Sequence, residues 1–139
     1  MKVTYDTIVQ AGLAIIFDNK ILLIHPTNAS WFGTYSIPKG EINAGENLLD
    51  AAIRETYEEI GIKFNKEDFN TMAQFIEYRD KKGKLYKVVW YYSLFLSEPL
   101  DMSKIKLQSK EVDWVGFLDK EEAKKRIFTR FTEILEYLN

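Results

Sequence analysis

Apolar and polar positions fall in blocks along this chain, and the blocks predict strands first, one helix in the middle and one at the end. Residues 8–17 and 21–24 are β-rich runs on either side of Asp18, Asn19 and Lys20, which have the composition of a hairpin turn. A short run over 34–37 follows the aromatic pair Trp31 and Phe32. It stops at Pro38, whose missing N–H is expected to end ladder pairing. A glycine-bounded loop over 40–45 comes next. From Asn47 the period changes, because Leu49, Ala52, Ile53, Thr56 and Ile60 recur at helical spacing and predict a core-facing stripe. Asn47 is a good N-cap, Asp50 suits the positive end of the helix dipole, and Gly61 fits the position that ends the helix. Residues 71–78 and 86–96 read as strands joined through Asp80, Lys81, Lys82 and Gly83. The run VVWYYSLFL is apolar on both faces, as a central buried strand is. Residues 111–117 predict a shorter strand. Asp119 with Glu122 resembles a capping box opening a last helix over 120–138, with Ala123, Ile127, Phe131, Ile134 and Leu138 on one stripe. The expected class is α+β or α/β, a mixed sheet with helices packed on its faces.

Composition narrows the function more than the fold. The 139 residues fit one domain, 1–139, since no repeat, low-complexity tract or linker divides them. Lysine and arginine number 19 against 21 acidic residues, a net charge of −2, which argues against an extended basic surface for nucleic acid. A small anionic ligand held by a few local groups and a metal remains compatible with that balance. The chain has no cysteine, so disulfides, thiolate metal sites and thiol nucleophiles are excluded. No apolar run reaches the roughly 18 residues needed to span a membrane. The start, MKVTYDTIVQ, lacks the basic-then-apolar layout of a signal peptide, so a cytoplasmic location is expected. The sequence carries no signal for an oligomeric state.

The middle helix holds the candidate chemistry. Its polar side sets Glu55, Glu58 and Glu59 beside Arg54. Carboxylates three and four residues apart are neighbours on a helix and repel by a few tenths of a kcal/mol per pair, on the order of 0.2–0.5. At about 100° per residue the three fall within an arc of roughly 100°. A hard cation such as Mg²⁺ turns that repulsion into a binding site, because it is held by carboxylate oxygens, water and substrate phosphate.

The segment GEINAGENLLDAAIRETYEEIGI, residues 40–62, resembles the Nudix box, G-x5-E-x7-R-E-U-x-E-E-x-G-U with U apolar. The fixed positions fall on Gly40, Glu46, Arg54, Glu55, Glu58, Glu59 and Gly61, with Ile62 at the last apolar place. Thr56 stands at the first U, a mild departure that keeps a methyl group for packing. The strand order around the box also resembles the family over most of the chain. The resemblance implies an αβα sandwich and a hydrolase that cuts a P–O–P bond in a nucleoside diphosphate linked to another moiety, with Mg²⁺ or Mn²⁺. It implies a catalytic set of Glu55, Glu58, Arg54 and Glu46, and a metal set of the Gly40 carbonyl with Glu55, Glu58, Glu59 and Glu111. In that scheme Arg54 pairs with Glu46 to brace the loop against the helix. Glu55 takes the proton of the attacking water.

Two features outside the box resemble the dinucleoside polyphosphate hydrolases of this superfamily. Tyr78 lies sixteen residues beyond Ile62, and Pro38-Lys39-Gly40 matches their lead-in, although Glu41 stands where they commonly have histidine. ADP-ribose hydrolases usually carry a proline near the place of Tyr78, and none occurs between Pro38 and Pro99. Lys39, Tyr78 and Tyr35 are therefore candidate contacts for a small nucleotide such as diadenosine tetraphosphate. Other readings stay open: a nucleoside triphosphate, a nucleotide sugar or ADP-ribose, a capped RNA 5′ end, or a non-catalytic nucleotide sensor. The single histidine, His25, precedes Pro26 after an apolar run and is expected to be structural. Trp31, Phe32 and Tyr35 adjoin a strand, where aromatic residues usually enter the core.

Overall fold

The computed structural model describes Val3, Thr4 and residues 6–139. Met1, Lys2 and Tyr5, part of the stretch read above for a targeting signal, lie outside the described residues. The strands are β1 (Ile8–Phe17), β2 (Lys20–Pro26), β3 (Lys39–Glu41), β4 (Gln74–Arg79), β5 (Leu85–Phe95) and β6 (Val112–Leu118). They form one mixed sheet in the order β4-β5-β1-β2-β6, with β3 also paired to β1. Only the β1–β5 pairing is parallel. The β1–β2 turn is made by Asp18 and Asn19 at φ 53° and 57°, the left-handed pair that a two-residue hairpin requires.

Alternation along β1 divides the core in two. Ala11, Leu13 and Ile15 point to one face, where α1 (Leu48–Ile60) covers them with Ala51, Ala52, Ile53 and Ile60. Ala14 and Ile16 point to the other, under α2 (Lys120–Arg126) and a 3₁₀ segment (Thr129–Tyr137) that contributes Phe131, Ile134 and Leu135. Sheet between helical layers is the expected sandwich. The caps of α1 are as expected too: Asn47 accepts from the Asp50 N–H at 2.8 Å, and Gly61 ends the helix at φ 82°. Among the described residues, no helix is long and apolar enough to cross a membrane.

Three expectations need correction. Pairing does not end at Pro38. Residues 35–36 make only isolated bridges, Ile24 with Ser36 and Tyr35 with Ile127, and the ladder resumes as β3, where Gln10, Ala11 and Gly12 face Glu41, Gly40 and Lys39. Pro38 takes part through its carbonyl, which accepts from the Leu13 N–H at 3.2 Å. Second, the last helix is not continuous over 120–138. It leaves the α conformation at Ile127 (ψ 143°), because the Arg126 carbonyl accepts from Thr34 and Tyr35 while the Phe128 N–H donates to Tyr35. Ile127, Leu138 and, within the 3₁₀ segment, Phe131 and Ile134 are buried, so the apolar stripe is real although the helix type is not. Third, Glu59 does not lie on the solvent side of α1 with the other glutamates; it is 7% exposed, on the buried side. Smaller differences are at element ends: β4 begins at Gln74 rather than 71, and Glu111 lies just before β6.

β1 spends one edge on two partners. Its end, Ile16 and Phe17, pairs with β2, while its start pairs with β3. The segment 35–41 is thus wedged between β1 and β2, which carries Gly40 to the middle of the sheet beside α1. The wedge needs Gly12. A Cβ there would stand 2.5 Å from the Pro38 oxygen and 2.8 Å from the Lys39 Cβ. Gly12→Ala is expected to destabilise the protein by about 1–3 kcal/mol through this overpacking, read as a lower urea midpoint; an unchanged midpoint would refute the wedge.

Candidate active site

The site forms where α1 crosses β3. Arg54 is its centre. Its guanidinium donates to Glu46 through Nε (2.8 Å) and Nη2 (3.0 Å), to Glu55 through Nη1 (3.0 Å), to both Glu58 oxygens (3.0 and 3.1 Å), and to the Glu41 carbonyl (2.8 Å). The two-pronged bond to Glu46 is the brace expected from the sequence. Glu46 also accepts from the Asn43 N–H at 3.0 Å, so the loop 43–46 is held to the helix at both ends of one carboxylate. Arg54 bonding holds the Glu46 carboxyl below its ordinary pKa, and the same bonds raise Arg54. The links from Arg54 to Glu55 and Glu58 go beyond the sequence reading.

Glu59 is the buried acid. One oxygen accepts from the Lys39 N–H at 2.9 Å, and burial pushes its pKa up to about 8. Burial also raises Glu55, whose carboxylate lies against the α-carbon of Gly40. A Cβ at position 40 would collide with that carboxylate, so only glycine lets the box helix and β3 approach this closely. The charge of Glu111 adds a smaller upward push on both Glu55 and Glu59, which places it on the same side of the site. Glu111 itself is exposed, and its carbonyl accepts from the Thr27 N–H at 3.0 Å.

Among the described residues, no three acidic or histidine side chains already converge as a metal cage. The donor set nevertheless fits a hard cation. It is all carboxylate and carbonyl oxygen, its members repel one another, and among the described residues the cation bonded to Glu55 and Glu58 is Arg54 alone. Gly40, Glu55, Glu58, Glu59 and Glu111 are the residues that could hold it.

A second cluster lies on the opposite sheet face, at the same end. The Lys39 ammonium sits 5.9 Å from the Phe131 ring, and the Lys87 ammonium 4.8 Å from the Tyr78 ring. Arg130 also stands over Tyr78, at 5.2 Å. Burial, then the nearby Lys87 charge, lowers Lys39 to about 8, and burial lowers Lys87. Neither lysine is in an ion pair among the described residues. Gln10 shares this face beside Val89, and its Oε1 is buried with no hydrogen-bond partner. Two desolvated ammonium groups and an unsatisfied amide are costly unless something completes them.

Of the expected nucleotide contacts, Lys39 is in this cluster. Tyr78 is there too but only 6% exposed; its ring lies 5.9 Å from Phe128 and burial raises its hydroxyl to about 12. Tyr35 is fully buried, so it supports its neighbours rather than offering a surface. Its hydroxyl accepts from Arg126 at 3.1 Å and its ring lies 5.9 Å from Trp31. Trp31 and Phe32 are exposed, against the expectation for aromatics beside a strand. His25 is structural as expected: Nδ1 meets Asp113 at 2.6 Å, Nε2 donates to the Ser30 carbonyl at 2.9 Å, and Trp31 stacks on the ring at 4.2 Å. Lys87 and Gln10 were missed. Their signal was present, as polar residues breaking apolar strand runs at 85–95 and 8–17.

Comparison with known proteins agrees with this geometry. The NUDIX domain profile matches residues 7–138. The Saccharomyces cerevisiae mRNA-decapping enzyme subunit 2 is 35% identical over 109 residues, which is 76% of this chain but 10% of that protein. Nudix hydrolase 2 of Arabidopsis thaliana is 25% identical over 130 residues, 91% of this chain and 44% of the relative. The match therefore spans less than half the length of each of these relatives. The structure of a C. elegans Ap4A hydrolase binary complex superposes with a TM-score of 0.68 at 26% identity, covering 94% of this chain and 93% of that one. With the box residues brought together as described and the profile matched almost end to end, this chain belongs to the Nudix family of hydrolases.

Proposed function

We propose that this protein is a divalent-metal-dependent pyrophosphohydrolase whose substrate is a dinucleoside polyphosphate such as diadenosine tetraphosphate. The observation that carries the substrate class is the Lys39–Lys87 pair: two desolvated ammonium groups, backed by Tyr78 and Phe131, with no ion-pair partner among the described residues. Such a pair suits an oligophosphate chain. Structural likeness to the C. elegans Ap4A hydrolase supports the same reading.

In this scheme Gly40, Glu55, Glu58, Glu59 and Glu111 hold Mg²⁺ or Mn²⁺. A cation held there would supply charge neutralisation for the diphosphate and would acidify a water for attack. Glu55 takes the proton as the water oxygen attacks phosphorus. The bridging P–O bond breaks and its electron pair leaves with the departing phosphate. Burial raises the Glu55 pKa in the metal-free protein. Arg54 positions Glu55 and Glu58, and Glu46 positions Arg54. Lys39 and Lys87 orient the phosphates, the main task in phosphoryl chemistry.

A second reading, hydrolysis at a capped RNA 5′ end, is favoured by the 35% identity to the yeast decapping subunit. A panel of diadenosine tetraphosphate, ATP, ADP-ribose and short capped RNA, each with Mg²⁺, separates the two. Release of ATP from diadenosine tetraphosphate at the highest kcat/KM is expected, and preference for capped RNA would overturn it. Glu58→Gln should lower turnover by more than about 100-fold, exceeding the loss from disturbing a ligand's supporting partner, while circular dichroism stays native. Wild-type turnover in that variant would remove Glu58 from the metal set.

Glu59 adds a pH signature. Its pKa of about 8 without metal means it is mostly protonated at pH 7, and a cation requires the carboxylate. Mg²⁺ binding at pH 7 is therefore expected to release protons, and affinity to rise with pH up to about 8. Calorimetry in buffers of different ionisation heat reads the release. A binding heat independent of buffer, or the same release in Glu59→Gln, would contradict it.

A further inference from the structure

A pocket of about 580 Å³ opens beside Glu58 and Gly61, at the C-terminal end of α1. One wall is the last turn of α1, with Tyr57 and Glu58; the other is the segment bearing Lys104, Lys106 and Gln108. That segment is tied to the helix end. The Lys106 N–H donates to the Ile60 carbonyl at 2.8 Å, and the Gln108 N–H to the Glu59 carbonyl at 3.0 Å. These bonds occupy carbonyls that a helix end leaves without partners, so the two walls are fixed relative to each other. The pocket is pre-formed and lies within the roughly 300–1,000 Å³ usual for small-molecule sites.

Its lining side chains Tyr57, Glu58, Lys104, Lys106 and Gln108 are exposed around an open pocket. The Tyr57 ring is 52% exposed, and among the described residues neither Lys104 nor Lys106 is in an ion pair. An aromatic face, two ammonium groups and an amide side chain together match a nucleoside phosphate: base on the ring, phosphates on the lysines, base or ribose edge on the amide. The pocket begins at Glu58, a residue of the proposed metal set. Glu58 is the residue that the pocket shares with that set.

We propose that this pocket seats the second nucleoside phosphate of the substrate, the arm on the far side of the cleaved bond from Lys39 and Lys87. The inference rests on the two-nucleoside reading above. A simpler role for the lysines exists, since α1 has no basic residue in its last turn and its negative dipole end lies here. That role accounts for neither the outward Tyr57 ring nor the cavity, and it affects stability rather than nucleotide affinity.

Two measurements on the full chain test the proposal. ADP is titrated in EDTA and followed by amide chemical shifts. Shifts at Lys104, Lys106 and Gln108, lost on K104A/K106A, are expected; shifts confined to the neighbourhood of Lys39 and Lys87 would overturn the proposal. In steady-state assays, K104A/K106A and Tyr57→Ala should each raise KM for diadenosine tetraphosphate by about tenfold, with a much smaller rise for ATP. An equal change for both substrates, or a lower melting temperature with unchanged KM, would leave only the dipole role. Wild-type protein that fails to cut diadenosine tetraphosphate but cuts another substrate would sink the two-nucleoside reading itself, and the ADP shifts would then decide the pocket alone.

Discussion

The site depends on one guanidinium. Among the described residues, Arg54 is the single cation bonded to the carboxylates of Glu46, Glu55 and Glu58, and it also holds the Glu41 carbonyl. Without it, carboxylates on successive turns of one helix would repel and the loop before that helix would lose its tether. Charge-assisted hydrogen bonds of this kind are worth about 1.5–3 kcal/mol each when partly shielded from water. Their geometry matters more than their sum. Arginine is planar and presents five donors, so it joins a loop, a strand carbonyl and two helix turns in one plane. A lysine carries the same charge but could not make the forked bond to Glu46.

Two backbone decisions aim this plane at a substrate. The wedge of residues 35–41 between β1 and β2 brings Gly40 under Glu55. The Lys39 N–H at the start of β3 then satisfies the buried Glu59 carboxylate, while the Lys39 side chain goes to the opposite face of the sheet. One residue thus links the acidic side of the site to its cationic side. The upward shift of Glu59 and the downward shift of Lys39 share a main cause, loss of water around a charge. Both groups lie in an environment that disfavours charge until an opposite charge arrives, as in a site built to receive a cation and a polyanion together.

Much of this was legible in the sequence, for identifiable reasons. The resemblance to the Nudix box implied the pairing of Arg54 with Glu46, and the structure shows that forked bond. Helix α1 was legible to its caps, since Asn47 and Gly61 report local geometry that no distant contact overrides. The break at Ile127 was not. There the chain gives up helical hydrogen bonds for a pairing with Tyr35, a partner more than ninety residues away, and the apolar stripe reads alike for α-helix and 3₁₀ turns. The burial of Glu59 was hidden for a similar reason: helical periodicity places it near the boundary of the apolar face, and only the Lys39 N–H supplied by β3 makes that position tolerable.

Lys87 and Gln10 show what a motif leaves out. Both lie in strands whose neighbours are apolar, and a polar residue in such a run is either a surface position or the edge of a site. The sheet order decides between these, because β5 and β1 are adjacent internal strands, parallel and in register from Ile8 with Lys87. An internal strand has no free edge, so a lysine there must face one helical layer or the other. Lys87 faces the layer that holds Phe131 and Tyr78, where Lys39 also arrives. The box therefore encodes the reaction, whereas the proposed substrate surface is assembled from single residues on β1, β3, β4 and β5. No contiguous stretch of sequence contains it. That is why the bond to be cut can be read from 23 residues, and why the molecule carrying it has to be read from the fold.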